Sequence, residues 1–583
     1  MTLPSLQQIV EFLVWITLVI VVFSYSVSVR RPFFGRMFAE HHHQLTAATL
    51  LFSSNWYNDG AFADRFLLLH SPQSIEFPTL QDRNPYPSYP PGQTLGVFLL
   101  AKLMATEPSV GMIQGLNLFS QLLIAMILGA LAWSILDRTG FGAWVRLPGA
   151  LFASFFYILN PCSMYFHQNV YFSDQAVLLP FAVAIAFEVL DLPKRRRIFE
   201  YMQIGVVFWG ILTDWLFVFV TAVICLCRLL DPWLRDKDMS WRRLLSLPVL
   251  RPLFALIAPI CVVVVFYVIG VRFSGGSSYA HGKMLERTGF NGSVWDWLTG
   301  YNWNWWAPHL WMGRYFGPSA PRVFLWSFSA ALLITMFMVI RRGVWKKTYP
   351  YNVIMVLKAA IIVTLPCFLQ VYVLRQHSDP HDFSVMKFAI PFALHPAIIL
   401  PCLVGLLIAS EVPEASESCC VFWSRIWQRP EAIRLAGGVF VLGLIVMDGI
   451  HLRGIHPLWI ESIPPLLLPG EYTAQVIHRH ARFSDVWFSP DFLVDPANLQ
   501  LLAVSRKNVY QVHDIAEVRR FLDEHNLTQR KDVSVVLLFD KKVSCPALQD
   551  VPSERIEDHD WHGVVLRIAV GALPNKGDLR CAG

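Results

Sequence analysis

The residues of this chain that can do proton or phosphate chemistry fall into a few short segments, each at the edge of a long apolar run. Glu40 is followed directly by His41, His42 and His43 in FAEHHHQL. A carboxylate beside imidazoles near a lipid surface is partly desolvated, which raises its pKa towards working pH and suits it to act as a general base. Asp174 closes the stretch ILNPCSMYFHQNVYFSD, in which His167 and Gln168 precede it, and Asp214 interrupts FWGILTDWLFVF. Asp59 and Asp64 follow Glu40 in the same polar segment. Lys283 and Arg287 lie in HGKMLERT, and Arg375, His377, Asp379, His381, Asp382 and Lys387 in LRQHSDPHDFSVMKF. Cations and imidazoles of this kind stabilise phosphate charge. Glu40 and Asp174 offer hard oxygen ligands for a divalent metal ion, although the imidazoles nearby suit a softer one. The same residues also have plain structural uses. Glu40 can be a charge at a helix start, Asp174 or Ser173 a helix cap, and the His377 to Asp382 segment a polar loop.

Long apolar helices must position these residues. The chain has 583 residues, 55% hydrophobic and 15% charged, with a mean hydropathy of +0.45, whereas a soluble domain carries about 25% charge. Apolar runs of membrane-crossing length recur at 9–27, 110–136, 147–165, 175–192, 252–271, 321–340, 352–373, 387–409 and 435–451. The stretch 198–230 would be about 50 Å long as one helix, against a hydrocarbon core of about 30 Å. A hairpin at Thr213-Asp214-Trp215 divides it into two spans and puts Asp214 at the membrane surface. The count is then about eleven transmembrane helices.

The net charge of +6 does not point to nucleic acid, because the basic residues sit in short clusters between the spans. With the hairpin, Arg138 with Arg146, the PKRRR run, the Arg228 to Arg251 loop, Arg341 to Lys347 and Arg425 to Arg434 share one side, which the positive-inside rule makes cytoplasmic. Only Arg30, Arg31 and Arg36 break the pattern. The acids and histidines collect on the other face. Membrane residues 1–466 thus form one unit, whose first outer loop, 29–92, carries amphipathic surface helices, one of them over Leu45 to Phe52. Residues 467–583 alternate short apolar and charged segments and read as a small extracytoplasmic α/β domain: helix 471–480, strand DVWFS, strand or turn LLAVSRKNVYQV, helix IAEVRRFLDEHNL, then strands SVVLLFD and GVVLRIAV. Of the ten cysteines, most lie in apolar runs, and Cys545 and Cys581 can pair if this domain faces an oxidising compartment.

A first span, an acid just beyond it, a surface helix, the Tyr89-Pro90-Pro91 segment, and Asn160-Pro161 followed by Asp174 at the next span occur here in an order that resembles the GT-C superfamily of integral membrane glycosyltransferases. That superfamily includes protein O-mannosyltransferases, bacterial aminoarabinose transferases of lipid A and oligosaccharyltransferases. The motifs cover about residues 1–230, and the architecture covers the rest. The resemblance implies that Glu40 is the catalytic carboxylate, with His41 or His42 sharing the role, and that Asp174 is the second-loop acid. Tyr89 stands where some relatives have a lysine before the two prolines, so Lys283, Arg287, Arg375 or Lys387 would supply the missing cation. The LRQHSDPHDF segment looks like one in bacterial members, which places His377, His381 and Asp382 in the outer cavity together with His167, Gln168 and Asp214.

The resemblance implies a GT-C-like polytopic enzyme of a plasma or inner membrane. It would move a sugar from a polyprenyl-phosphate donor to a hydroxyl of a glycan, lipid or protein acceptor with inversion, aided or not by a divalent metal ion. The alternatives are a lipid-linked glycan flippase, which calls for broken helices in repeated halves, and a non-catalytic scaffold. Trp295, Trp297, Trp303, Trp305, Trp306 and Trp311 read equally as interfacial anchors or as a sugar or prenyl platform.

Overall fold

The structure is a computed structural model that describes residues 6–37, 41–139, 141–192, 196–236, 246–273, 277–290, 293, 295, 297, 312–313, 315–316, 320–345, 351–378, 381–399, 468, 470–494, 498–539, 548–556, 563–577 and 579. Glu40, Asp379, four of the six tryptophans (Trp303, Trp305, Trp306 and Trp311), the last predicted span, and Cys545 with Cys581 lie outside the described residues.

Helices stand wherever the sequence predicts spans from 9–27 to 352–373. They are α1 (Leu6–Arg30), α4 (Val110–Arg138), α5 (Ala143–Leu159), α8 (Leu178–Val189), α9 (Arg197–Thr213), α10 (Leu216–Arg235), α11 (Leu247–Phe273), α13 (Ala320–Trp345) and α14 (Tyr351–Val373). Five stretches are long and apolar enough to cross a membrane by themselves: Leu6–Phe33, Val110–Arg138, Leu216–Arg235, Leu250–Arg272 and Ile354–Val373. A sixth is a pair bent by 50°, Val145–Leu159 with Pro161–Asn169. The single span predicted at 147–165 is therefore broken. Pro161 has no N–H to donate and biases Asn160 away from helical angles, so Asn160 turns extended and its side chain caps the next helix, α6 (Pro161–Asn169), by accepting from Ser163 N at 2.8 Å. The basic cluster that breaks the charge rule has a local explanation too. Arg30 is wholly buried, donating to Gln121 Oε1 at 2.8 Å and Ser26 Oγ at 3.0 Å, so it serves the interior rather than marking a side.

The segment between α1 and α4 holds α2 (His41–Asn55) and α3 (Gly92–Met104). The sequence predicts α2 as an amphipathic helix on the membrane, but it is enclosed instead. Leu50 and Leu51 pack with Leu501, Leu502 and Ala503 of the C-terminal domain, while Phe52 and Trp56 pack with Leu68, Tyr89 and Phe172 on the other side. Thr46 and Thr49 donate to the carbonyls of Asn169 and Tyr171 at 2.9 and 2.8 Å. These hydroxyls fasten α2 to the extended chain that leads to the short helix α7 (Ser173–Ala176).

The C-terminal domain is a five-stranded sheet of order β2-β1-β3-β5-β4, with β1 (Asp485–Ser489) parallel to β2 (Val509–Gln511) and β3 (Ser534–Phe539), and β5 (Val564–Ala569) antiparallel to β3 and to β4 (Ser553–Ile556). Trp487, Val536, Leu538 and Val565 face α15 (Glu471–His480), α16 (Leu499–Ser505) and α2, and Val486, Phe488, Val535 and Leu537 face α17 (Ile515–Glu524). Where the sequence predicts a strand or turn at LLAVSRKNVYQV, the chain forms α16 and then β2. Asn498 caps the helix by accepting from Leu501 N, and Arg506 ends it at φ +53°. Arg506 then pairs with Glu107 at 3.1 Å, tying the domain to the loop after α3.

Candidate active site

The hairpin at Asp214 forms as predicted, but its location differs. Asp214 lies between α9 and α10 in extended conformation and is 0% exposed, rather than facing the membrane surface. Its Oδ1 accepts from Leu216 N, the first residue of α10, at 2.7 Å and from Gln370 Nε2 of α14 at 2.8 Å. The neighbouring Trp215 donates from Nε1 to the Ser88 carbonyl at 3.2 Å, so the Tyr-Pro-Pro segment roofs the turn. An acid can be buried here because the chain around it supplies donors that water would otherwise provide.

Gln370 is the hinge of the site. Its Oε1 accepts from Lys387 Nζ at 2.5 Å, and Lys387 in turn reaches Asp174 Oδ1 at 3.3 Å. Lys387 sits in a 3₁₀ turn, Asp382–Phe388, and both it and Asp174 are almost wholly buried. Asp174 is not a helix cap, and neither is Ser173, since the cap position of α7 falls on Phe172. The second-loop acid, the hairpin acid and a lysine from the far end of the chain therefore form one chain of contacts.

Above it stands a cationic and aromatic group. The Tyr89 hydroxyl and His377 Nε2 are 3.2 Å apart, the Arg287 guanidinium lies 4.6 Å over the Tyr89 ring, and Arg287 donates to the Tyr86 hydroxyl at 3.5 Å. His381 lies beside His377 with the rings tilted by 59° and their centres 4.5 Å apart. Arg375 is buried over Trp297 at 5.3 Å, and its Nη1 has no hydrogen-bond partner. Lys283 is on a more open part of α12 (Ser277–Thr288), where it pairs with Glu286 at 2.7 Å.

A third group joins the start of α2. His42 Nδ1 is 2.7 Å from the Tyr165 hydroxyl and His42 Nε2 is 2.7 Å from Asp382 Oδ1, while Asp382 Oδ2 accepts from the Tyr315 hydroxyl. An imidazole held between a carboxylate and a phenol is oriented for proton transfer. Chain position 40 lies two residues before this imidazole. His41 begins the helix, and its side chain is not among those described.

Other predicted residues stand apart from these groups. His167 is enclosed by Tyr157 at 2.9 Å, Asn117 at 3.0 Å and Gln175 at 2.6 Å, and Gln168 donates to the Phe33 carbonyl at 3.5 Å. Their partners belong to α4, α5, α7 and the turn just after α1, so they brace the second loop. Asp59 and Asp64 grip Arg83 at 2.6 and 2.8 Å in the first loop, where burial raises the pKa of both, that of Asp64 to about 6. The sequence reading leaves Gln370, Tyr165 and Tyr315 unassigned to any role. The lone amide of Gln370 in LPCFLQVYVL was the available signal, since a polar side chain amid apolar neighbours needs a partner.

Among the described residues no group of three His, Cys, Asp or Glu side chains is arranged to hold a metal ion. Asp174 Oδ1 pairs with Lys387 at 3.3 Å, and the other candidate ligand, Glu40, lies outside the described residues. No step below passes through a metal.

No family model matches the chain, and no curated protein matches it. Among solved structures it is similar to ArnT from Cupriavidus metallidurans bound to undecaprenyl phosphate, with 12% identity over 95% of this chain and 97% of that one and a TM-score of 0.47. It is also similar to an oligosaccharyltransferase from Archaeoglobus fulgidus tethered to an acceptor peptide, with 10% identity over 90% of this chain and 69% of that one and a TM-score of 0.46. The archaeal enzyme AglB from Archaeoglobus fulgidus, in complex with an inhibitory peptide and a dolichol phosphate, matches at 10% identity over 91% and 70% with a TM-score of 0.44.

Proposed function

We propose that this protein is a multi-pass membrane glycosyltransferase that takes a sugar from a polyprenyl-phosphate donor and passes it to an acceptor hydroxyl on a glycan, lipid or protein. The observation that carries the reading is the gathering of Asp174, Asp214, Lys387, Arg287, Tyr89 and His377 from six separate segments at one buried place beside apolar helices. A lipid-linked phosphate needs an apolar path for its tail and fixed cations for its head, and this place adjoins both.

In this reading Glu40 takes the proton of the acceptor hydroxyl. The acceptor oxygen bonds to the anomeric carbon from the face opposite the phosphate, the carbon–oxygen bond to phosphate breaks, and polyprenyl phosphate leaves with inversion at the sugar. Arg287, steered by Tyr89 and Tyr86, and Arg375, with a free donor, meet the charge that grows on the phosphate. His377 and His381 supply further donors. His42, held between Asp382 and Tyr165, serves as the proton partner nearest Glu40 in the chain. The reaction would occur on the extracytoplasmic side, with the C-terminal domain over the site.

The test is Glu40→Gln in the full-length protein in lipid nanodiscs, supplied with a polyprenyl-phosphate sugar and a hydroxyl acceptor. Loss of a general base costs about 10²- to 10⁴-fold, so the expected outcome is a turnover reduced by that much with the thermal transition unchanged. Wild-type turnover would remove Glu40 from the mechanism.

A further inference from the structure

Some of the buried polar groups around the Asp174–Asp214 contact chain have no partner. Native interiors leave few buried polar groups unpaired, because each one costs about 1–3 kcal/mol in lost solvation. Here Asp174 Oδ2, Asp214 Oδ2, the Ser173 hydroxyl, the Thr94 hydroxyl and both amide atoms of Gln93 are buried without any hydrogen bond. Ser173, Thr94, Gln93 and Asp214 are 0% exposed.

These residues come from three segments that the fold brings together. The start of α3 lies against the hairpin so closely that a Cβ at Gly92 would sit 2.6 Å from both the Leu212 carbonyl and the Thr213 hydroxyl. That places Gln93 and Thr94 one and two residues from direct contact with the turn holding Asp214. Asp214 is in turn within electrostatic reach of Asp174, the neighbour of Ser173. The first turn of α3 is uncapped as well, because Pro91 at its cap position has no side-chain acceptor.

The mixture of groups selects a chemistry. Two carboxylate oxygens repel phosphate, and six buried polar atoms do not suit a prenyl chain. A hydroxyl both donates and accepts, so several neutral hydroxyls on one ring can satisfy carboxylate oxygens, an amide and two alcohols together. We infer that Gln93, Thr94, Ser173, Asp174 and Asp214 form a recognition site for the hydroxyls of the transferred sugar, separate from the cations that meet the phosphate. The inference rests on the donor reading above and adds to it the part of the protein that reads the sugar. A site built to hydrogen-bond hydroxyls discriminates strongly, because a wrong ring leaves its groups unpaired.

The experiment measures the affinity of the full-length protein in nanodiscs for two probes, polyprenyl phosphate alone and the same lipid phosphate carrying a neutral hexose. Thr94→Val keeps shape and removes only the hydroxyl, Ser173→Ala does the same, and Gln93→Met keeps length and removes the amide. For the wild type the hexose should add affinity over the bare lipid phosphate. Each variant should lose about ten-fold of the hexose-bearing probe and keep its affinity for bare lipid phosphate within two-fold. Variants that bind both probes as the wild type does, or weaken on both by the same factor, would overturn the sugar site. So would a wild type to which the hexose adds nothing, since the unpaired groups are then met by water alone. A wild type that binds neither probe would instead remove the donor reading itself. If Gln93→Met fails to fold, the two isosteric alcohol variants carry the result.

Discussion

The two ends of the helical body each bury a cluster of charge, and the clusters are built to opposite rules. At the end away from the C-terminal domain, Glu188 of α8 is met on both oxygens, by Lys358 at 2.7 Å and Arg228 at 2.8 Å. Gln203 links Arg228 and Glu188, Lys358 also reaches Asp191 at 3.2 Å, and Asp231 is paired with Arg235 at 2.5 Å. None of these acids has a buried oxygen left without a hydrogen bond. At the end under the C-terminal domain, one lysine reaches Asp174 directly and Asp214 only through Gln370, and each acid leaves an oxygen unsatisfied. The helix α8 that separates the clusters has 12 residues, or about 18 Å at 1.5 Å per residue. Charge of similar composition is thus spent on holding four helices together at one end and left available at the other.

The largest test of that contrast is a crossed one. Removing one member of a buried pair costs about 3–5 kcal/mol, so Glu188→Leu should lower the thermal transition sharply while the folded fraction keeps its turnover. Asp174→Asn takes the partner from the buried Lys387, so it should lower the transition as well, but here the folded fraction itself should lose about 10³-fold of its turnover, the size of effect that removal of a fixed charge from an active site produces. Melting by intrinsic fluorescence and a transfer assay on the same samples check both. Two variants that lose stability and activity in parallel would erase the distinction between the ends.

A smaller effect is expected at the proton partner. His42→Gln keeps a polar side chain but cannot carry a proton, and it should lower turnover by about 10²-fold. Asp382→Asn should give a similar loss, and the double variant should be no worse than the more damaged single one, because residues that act as a unit are not additive. Independent, multiplying losses would mean that the two side chains do not work together.

How much of this was legible in the chain depends on sequence distance. The helices at the predicted spans and the break at Asp214 rest on local hydropathy and were readable, whereas the span read over 147–165 is broken at Asn160-Pro161, where Pro161 was the local signal. Asp174, Arg287, His377 and Asp382 stood out as polar residues at the ends of apolar runs, and Tyr89 only through the resemblance. Their pairing was not readable, because Lys387 reaches Asp174 across 213 positions and His42 reaches Asp382 across 340. The enclosed setting of α2 was hidden for the same reason. Its face reads as amphipathic for a membrane surface, yet the apolar partner is α16, more than four hundred residues away. Gln370 looked like one polar residue in a span until both ends of its amide were seen to hold charged neighbours.

The clamp in the segment between α1 and α4 lies between the two rules and gives the finest test. Arg83 holds two carboxylates, Asp59 and Asp64, but Asp64 Oδ2 has no partner. Burial, with Asp59 adding to it against the pull of Arg83, lifts Asp64 from its ordinary 3.8 to about 6. An acid whose folded pKa is raised binds its proton more tightly in the folded loop than in the opened one. Its contribution is therefore greatest below pH 3.8 and declines as pH rises to about 6, above which the ionised form carries a constant cost on the order of 3 kcal/mol. Hydrogen exchange of the amides from Leu67 to Tyr86 should show a loop that opens more readily at pH 7 than at pH 4.5. Asp64→Asn should flatten much of that slope and protect the loop at pH 7, leaving the smaller slope of Asp59, whose pKa is raised by the same burial. An unchanged slope in the variant would mean that Arg83 satisfies both acids fully, and the loop would then belong with the saturated cluster at the far end.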